Sequence, residues 1–339
     1  MSFHSFVLDN STINFDVDED CPIIEHSISK DKKLTRVVTN QKRLETLIPS
    51  KSPLHELIHK TDISPGSYEG GFTCWECSLD LCKYILTLDL KGKNVLEIGC
   101  GHGLPGITAL LQGASSVTFQ DYNEEVLRLA TVPNIILNVM DKFDDSGDQP
   151  SKEVVDFIKT RCTFISGSWN SMLEIPIKST HDFSSGACSS SCKPSRSFVS
   201  PSSSSTLPQE LLPYDLILAA ETVYRIDDFP TLRQLITHFL KPKTETEGDS
   251  ASLFAGRAQY FGVGGGINAF RKFMTQSDEG QTLQKDIIDN CTKEVLKEEK
   301  ETKIENTSRF SCEEVWISES LDHSIVKIQP FIQKTKSSL

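Results

Sequence analysis

The glycine-rich segment VLEIGCGHGLPG, residues 95–106, carries the clearest chemical signal in this chain. An apolar run reaches Glu97, and Gly99, Gly101 and Gly103 follow before a predicted helix. Glycines allow the backbone to turn sharply and to approach a ligand closely. The first turn of the helix offers free N–H groups to an anionic group. The segment therefore predicts a strand–loop–helix unit that binds a small charged ligand.

Two classes of ligand fit this loop. Gly101, Gly103 and Gly106 match the dinucleotide pattern G-x-G-x-x-G, and Asp121 follows about 20 residues later, as that pattern requires. That register, however, leaves Gly99 within the strand and starts the tight turn late.

The register that starts at Gly99 places Leu104 where the third glycine of the dinucleotide pattern would stand. It also places the acid Glu97 at the end of the strand. An anion is unfavourable beside a pyrophosphate and favourable beside the cationic aminoacyl-sulfonium group of S-adenosylmethionine. Register and charge therefore favour the methyl donor.

The ends of two further predicted strands supply other donor contacts. The second strand ends FQDYN, where Asp121 can accept hydrogen bonds from both ribose hydroxyls. An alternative role is a helix cap for the segment from Glu124 onward, which Asn123 could fill equally well. The third strand leads into Gly167–Trp169, which suits an adenine by stacking and backbone contacts, although a lone tryptophan is as often part of the core.

The fourth predicted strand ends AAETVY, with Glu221 and Tyr224 at the carboxyl edge of the sheet. Ligands bind at this edge in open α/β sheets. The two side chains could bind an acceptor molecule, and a helix cap is the alternative for Glu221.

The elements that position these residues alternate between strand and helix, after a first predicted helix at Trp75–Leu88. Such alternation predicts a parallel sheet covered on both faces. A terminal hairpin turns it into a Rossmann-like seven-stranded methyltransferase sheet with helices on both faces. The predicted strands are Asn94–Ile98, Val117–Gln120, Cys162–Ser166, Tyr214–Ala220, Ala251–Ala255, Glu313–Ile317 and Ser324–Ile328. The predicted helices between them are Leu104–Leu111, Glu124–Val139, Leu232–Leu240 and one opening at Phe270–Phe273.

The remaining segments define the domain organisation. Residues 1–60 are predicted to form a weakly ordered N-terminal extension with a short helix near Leu54–His59. Residues 61–339 are predicted to form the methyltransferase domain. Residues 141–160 and the serine-rich residues 184–208 predict surface insertions, the second disordered. The charged residues 293–308 predict a solvated helix face or loop.

Composition excludes several classes of protein. A net charge of −12 argues against a nucleic-acid surface and is compatible with a basic protein partner. The first ten residues lack a secretory pattern, and no apolar run approaches the roughly 20 residues of a membrane helix. The ten cysteines are expected to be reduced, and neither Cys74 with Cys77 nor Cys188 with Cys192 predicts a metal site.

The chain resembles the eukaryotic histidine protein methyltransferase family. Five blocks carry the resemblance in the same order, and the first and last are the specific ones. They are YEGGFTCWEC (68–77), VLEIGCGHGLPGI (95–107), FQDYN (119–123), AAETVY (219–224) and AQYFGVGGG (258–266). The resemblance implies a cytoplasmic and nuclear enzyme, expected to be a monomer, that methylates a ring nitrogen of a histidine in a basic large-subunit ribosomal protein. The segments 141–160 and 184–208 are not part of the pattern.

The resemblance also implies which residues bind S-adenosylmethionine. They are Trp75, Glu76, Cys77, Ser78, Glu97, Gly99, Gly101, Asp121, Tyr122, Asn123, Gly167, Ser168, Trp169 and Ala220.

Histidine methylation makes modest chemical demands. Neutral imidazole predominates near pH 7, because its unperturbed pKa is about 6.5. Alignment of the nucleophile with the methyl group can therefore do most of the catalysis. Glu221 is the candidate to accept the N–H of the non-reacting nitrogen, and Tyr224 would line the slot. Gly264–Gly266 would let the acceptor backbone pass close by, or would serve a loop that needs positive φ.

Three alternatives remain open from the sequence. The first is a protein-lysine methyltransferase of the same fold. The second is a non-catalytic ribosome-assembly module. The third is a nicotinamide-dependent oxidoreductase, which the position of Glu97 disfavours.

Overall fold

The computed structural model describes most of the chain, with gaps. The described residues are 4–6, 22–39, 41–58, 63–143, 145–178, 210–242, 250–260, 262–276, 310–318 and 322–331. The predicted serine-rich insertion at 184–208, the charged stretch 293–308, Cys188 and Cys192 lie outside these residues.

One mixed sheet organises the fold. Its strands are β1 His4–Phe6, β4 Asn94–Ile98, β5 Ser116–Asp121, β6 Cys162–Ser166, β7 Leu216–Ala220, β8 Ala251–Arg257, β9 Phe310–Ile317 and β10 His323–Pro330; β2 Ile23–Ser27 and β3 Lys33–Val37 form a separate hairpin.

The strand order in the sheet is β1-β6-β5-β4-β7-β8-β10-β9. Strands β4 to β8 are parallel, whereas β10 runs antiparallel between β8 and β9, and β1 adds an antiparallel edge beside β6. The predicted fold class and terminal hairpin are confirmed.

The chain changes direction across the sheet at β4. From β4 it proceeds outward to β5 and β6, and it then returns to β7 on the other side of β4. The carboxyl ends of β4, β5 and β7 therefore surround a switch point, which is where ligands bind in open α/β sheets.

Helices cover both faces of the sheet. Alternate residues of each strand face opposite layers, so Val95 belongs to one hydrophobic cluster and Leu96 to the other. Buried phenylalanines fill both layers, including Phe119 stacked on Phe164 at 5.7 Å. The helices are α1 Gln41–Leu47, α2 Pro53–Leu57, α3 Glu76–Ile85, α4 Leu104–Leu111, α5 Glu124–Val126, α6 Val132–Lys142, α7 Lys152–Arg161, α8 Trp169–Met172, α9 Phe229–Phe239 and α10 Ile267–Thr275.

A π-helical turn, Leu127–Thr131, joins α5 to α6 within what the sequence predicts as one helix. Pro133 opens α6 and cannot donate a backbone hydrogen bond to the preceding turn. The turn lies against the glycine-rich loop, since Thr131 donates its hydroxyl proton to the Gly101 carbonyl at 2.6 Å. Turns of this kind are frequent at functional sites.

The hairpin β2–β3 falls in the region for which the sequence predicted weak order. Two asparagines of α6 pair with its edge, because Asn134 accepts the Val37 N–H and Asn138 accepts the Thr35 N–H. Leu34 and Val37 are buried against the domain. The helix α2 lies where a short helix was expected, whereas the proposed boundary at residue 60 stays a prediction.

The predicted surface insertion at residues 141–160 includes most of α7. Val154 and Ile158 on this helix are fully buried, and the helix leads directly into β6. This part of the segment therefore belongs to the helical layer, because its apolar residues recur at helical spacing among many charged ones.

Within the described ranges, no helix is long and apolar enough to cross a membrane. The same residues contain no cluster of three or more side chains suited to holding a metal ion.

Candidate functional site

The glycine-rich loop leaves β4 and enters α4. Gly101 has a φ of 51°, in the left-handed region that favours glycine. A Cβ at this position would stand 3.1 Å from the carbonyl oxygen of Gly71, so the loop packs directly against the YEGG segment that precedes α3. A glycine at position 101 therefore allows the two backbones to approach each other closely.

Glu97 lies at the end of β4 beneath this loop. Its carboxylate accepts the Gly106 N–H at 2.8 Å, at the start of α4. The side chain is buried, and burial raises the pKa of its carboxyl to about 8. The site therefore holds an acid that a neighbouring cation would help to ionise.

Asp121 lies at the end of β5 and ties the loop to the next strand. It accepts the Gly101 N–H at 2.9 Å and the Asn123 N–H at 3.2 Å. Burial raises its pKa to about 6 despite these hydrogen bonds. A carboxylate has about four acceptor positions, so further positions remain for ribose hydroxyls. Asn123 precedes α5 but makes no side-chain cap bond, and it donates instead to the Ser67 carbonyl.

Gln120 connects the loop to the predicted adenine side of the site. Its Oε1 accepts both the Gly99 N–H and the Trp169 indole N–H, each at 3.1 Å, and its Nε2 donates to the Gly167 carbonyl. Gln120 was not among the residues predicted from the sequence. The signal that could have identified it is an amide directly before Asp121, at the carboxyl end of a buried strand.

A cavity of about 310 Å³ opens over these strand ends, close to the lower limit for small-molecule sites. The predicted residues on its wall are Trp75, Ser78, Glu97, Gly99, Gly101, Asp121, Tyr122, Ser168, Trp169, Ala220, Glu221 and Tyr224.

Four predicted donor residues do not lie on this wall. Glu76 is exposed because the first turn of α3 directs it outward, and its carboxylate lies 3.6 Å from the His323 ring nitrogen Nε2. Cys77 is buried behind the wall, the Asn123 N–H donates to the wall residue Asp121, and the Gly167 carbonyl accepts a hydrogen bond from Gln120. The roles of all the predicted residues stay predictions.

His102, within the loop, was also missed. Its Nε2 bonds to the Phe72 carbonyl at 2.9 Å, so this nitrogen carries the proton, and its Nδ1 accepts from Asn134 at 3.1 Å. Burial lowers the pKa of His102 to about 4, so the ring is neutral. Asn134 also accepts the Val37 N–H, and the hairpin β2–β3 is thereby joined to the loop.

The segment YEGG supplies wall residues that were not predicted as site residues from the sequence. Glu69, Gly70 and Gly71 line the cavity, and the Trp75 indole N–H donates to the Gly70 carbonyl at 3.3 Å. Adjacent glycines in a polar segment before a helix are the signal that could have identified them.

A second cavity of about 870 Å³ adjoins the first and is wider open to the surface. The two share five wall residues: Glu69, Trp75, Glu221, Tyr224 and Arg225. The second cavity is bounded further by Tyr260, Val263, Arg257 and Asp322, among others. A second molecule could therefore reach the edge of the first cavity without displacing its occupant.

Glu221 stands where the cavities meet. It directly follows β7 with a φ of 58°, the single positive value among the described non-glycine residues. Its carboxylate accepts the hydroxyl proton of Tyr260. The alternative role as a helix cap is not observed, since the next helical turn begins at Ile226. Strained backbone of this kind concentrates at functional sites.

Tyr224 makes a similar pair at the same junction. Its hydroxyl donates to the Glu69 carboxylate, and burial followed by this neighbour raises the pKa of the phenol. Arg225 lies 3.5 Å from Glu69 and 2.7 Å from Asp228.

The glycine run 264–266 serves the protein's own loop. A Cβ on Gly265 would lie 2.2 Å from the Tyr224 carbonyl oxygen, and the Gly266 N–H donates to the Val223 carbonyl at 2.8 Å. The space next to Gly265 is thus filled by the strand end rather than left for an acceptor backbone. Of the two predicted roles, the structure supports the loop.

The first cavity suits a nucleoside that bears a cationic amino-acid group. Two buried carboxyls, those of Glu97 and Asp121, lie along one wall, and the Trp169 indole lies on the adjoining side. The Thr222 hydroxyl on this wall is buried without a hydrogen-bond partner in the part of the chain that the structure describes. An unsatisfied buried hydroxyl is costly, so a polar ligand would stabilise this wall.

Comparison with known proteins supports this chemistry. Residues 76–249 match the model of a methyltransferase domain family. The chain is 37% identical over 221 residues to histidine protein methyltransferase 1 homolog of Dictyostelium discoideum, with 65% of this chain and 53% of that protein covered. It is 30% identical over 321 residues to the homolog of Bos taurus, with 86% and 77% covered. A protein N-lysine methyltransferase of Danio rerio is 26% identical over 227 residues, with 64% and 78% covered.

Proposed function

This chain belongs to the histidine protein methyltransferase family and uses S-adenosylmethionine, and on that premise we propose that it methylates a ring nitrogen of a histidine in a large-subunit ribosomal protein. The predicted methyl donor is thereby confirmed over the dinucleotide. The chain spans about half of the Dictyostelium relative and about three quarters of the bovine one.

The observation that carries the proposal is the meeting of the two cavities at Glu221 and Tyr224. The inner cavity is lined by ten of the fourteen predicted donor residues, and the outer one is wide enough for an acceptor side chain with its flanking backbone. An imidazole inserted from the outer cavity would reach the edge of the inner one at these two residues.

The donor would be held by residues of the inner cavity. Asp121 would accept from the ribose hydroxyls, Trp169 would stack on the adenine, and Glu97 would face the cationic amino-acid end. S-adenosylmethionine supplies an electrophilic methyl group when bound. Cavity walls made of β-strand ends and a short loop would hold the bound donor in one orientation, and alignment is the main requirement of the reaction.

The acceptor ring requires one nitrogen with a free lone pair. If the other nitrogen donates its proton to the Glu221 carboxylate, the tautomer is set and positive charge developing on the ring is stabilised. Glu69 lines both cavities and adds negative charge where the acceptor ring would enter. This arrangement suits a neutral imidazole, for which no strong base is needed.

The negative net charge of this chain favours a basic acceptor, such as a ribosomal protein. The chain carries a net charge of −12, and acidic proteins attract basic partners by long-range steering. Action on such a partner fits an enzyme of the cytoplasm and nucleus, which we propose as its location, and we propose that it acts as a monomer.

The test is product identification. The purified protein is incubated with S-adenosylmethionine carrying a labelled methyl group and with a ribosomal protein extract, and the labelled residue is identified by mass spectrometry. We expect methylhistidine in one large-subunit protein. Methyllysine would contradict the histidine assignment. Lysine methylation is the sharpest alternative, because the chain is also similar to a protein N-lysine methyltransferase. Donor binding without any labelled product would instead support a non-catalytic module.

A further inference from the structure

We propose that Tyr260 is a positioning residue of the acceptor site, which holds the Glu221 carboxylate at the junction of the two cavities. The inference rests on the proposed function, because it assigns a task to the carboxylate that would accept the imidazole N–H. Tyr260 lies 39 positions after Glu221 in the chain, and it belongs to the outer cavity.

The backbone of Glu221 is held in one conformation. Its N–H donates to the Ala255 carbonyl on the neighbouring strand β8 at 2.9 Å, and its φ of 58° is uncommon for a residue with a side chain. These backbone contacts therefore fix the direction of the Cα–Cβ bond of Glu221. The position of its carboxylate depends in addition on the groups that hydrogen-bond to it.

Tyr260 is suited to hold the carboxylate because its hydroxyl group donates its proton to Glu221. The Tyr260 oxygen accepts the Arg257 N–H at 3.1 Å, which leaves its own proton to be donated to Glu221. Burial, and then the charge of Glu221, raise the pKa of this phenol, so it stays protonated. A carboxylate with one position occupied by Tyr260 keeps others for an acceptor.

The loop that carries Tyr260 is itself anchored to the end of β7. The Tyr260 N–H donates to the Gly265 carbonyl at 3.1 Å, and Gly264 forms a β-bridge with Arg225. The ring of Tyr260 meets that of Tyr224 edge to face, with centroids 6.4 Å apart. The glycine run thus allows the loop to bring a phenol to Glu221 at a fixed place.

Cys77 is buried near the same carboxylate. Burial, and then the charge of Glu221, raise the pKa of its thiol. The geometry is that of a base oriented by a neighbouring group, here a phenol.

The experiment compares Tyr260→Phe with Tyr214→Phe. The Tyr214 hydroxyl also makes one buried side-chain hydrogen bond, to Thr118 at 2.9 Å, but it lies outside both cavities. For each full-length variant, kcat and the acceptor KM are measured from methylhistidine formation, the donor Kd by calorimetry, and the midpoint of thermal unfolding. We expect Tyr260→Phe to lower kcat on the order of tenfold, with donor Kd unchanged and KM altered less than kcat. Tyr214→Phe should lower the midpoint and leave kcat unchanged.

A second comparison isolates the action through Glu221. In a Glu221→Ala background, Tyr260→Phe should cause no further loss of kcat, because the group that it positions is absent. An equal loss in both backgrounds would overturn the inference, and so would a kcat within twofold of the parent. If the parent protein forms no methylhistidine, the proposed function fails; if it does and the Tyr260 variant is normal, only this inference fails.

Discussion

Asn134 and Asn138 lie one turn apart on α6 and allow the coupling between the hairpin β2–β3 and the glycine-rich loop to be tested. Asn134 accepts the Val37 N–H at 2.8 Å and donates to both the carbonyl oxygen and Nδ1 of His102, at 2.9 and 3.1 Å. Asn138 accepts the Thr35 N–H at 3.0 Å and donates to the carbonyls of Thr35 and Asn134. Each therefore makes three hydrogen bonds, but only Asn134 contacts the loop.

The expected loss of stability is similar for the two alanine variants. A buried hydrogen bond contributes about 1 kcal/mol net, so Asn134→Ala and Asn138→Ala should each lower the free energy of unfolding by about 3 kcal/mol. Both losses would be measured by urea unfolding of the full-length protein, with the slope of the transition as a check on two-state behaviour.

The expected effect on donor binding differs. Asn134→Ala releases His102, which is a wall residue of the donor cavity, so the donor Kd should rise about tenfold, equivalent to ~1.4 kcal/mol. Asn138→Ala should leave the Kd within about twofold, well under that amount. The measurement is calorimetry at a temperature at which both variants are folded. Equal donor affinities in the two variants would refute the coupling, and an Asn134 variant of unchanged stability would refute the hydrogen-bond accounting.

Three further predictions concern the two cavities. Asp121→Ala should weaken donor binding at least about 100-fold, because it removes the ribose acceptor and the anchor of the Gly101 N–H; normal affinity in a calorimetric titration would remove the ribose assignment. Glu221→Ala should lower kcat by roughly 10² to 10⁴-fold while the donor Kd changes little, and unchanged turnover would reduce this residue to a structural role. Glu97 has a pKa raised to about 8, and a bound cation favours its ionised form, so donor binding below that pH releases a proton. Donor affinity should therefore rise with pH between 6.5 and 8, by up to about tenfold per unit, and level off above 8. Glu97→Gln should bind more weakly and lose this dependence, and an equally steep dependence in that variant would assign the proton to another group.

The relation between sequence and fold is closest where the signal is local. The strand Asn94–Ile98, the loop that follows it and the terminal hairpin were predicted because burial on both faces produces apolar runs and because glycines mark sharp turns. The helix α7 was assigned to a surface insertion, because its two fully buried residues are outweighed by charged neighbours in composition.

The sequence by itself determined the strands of the sheet, the position of the glycine-rich loop and the acids at the ends of β4 and β5. Each of these features depends mainly on residues that are close together in the chain. Only the tertiary structure decided that Gln120 joins Gly99 to Trp169, that Asn134 holds His102, and that Tyr260 meets Glu221. These contacts join residues that strand order brings together from distant parts of the chain. A hydrogen bond between such residues leaves no periodic pattern in the sequence, since its partners are selected by packing in three dimensions.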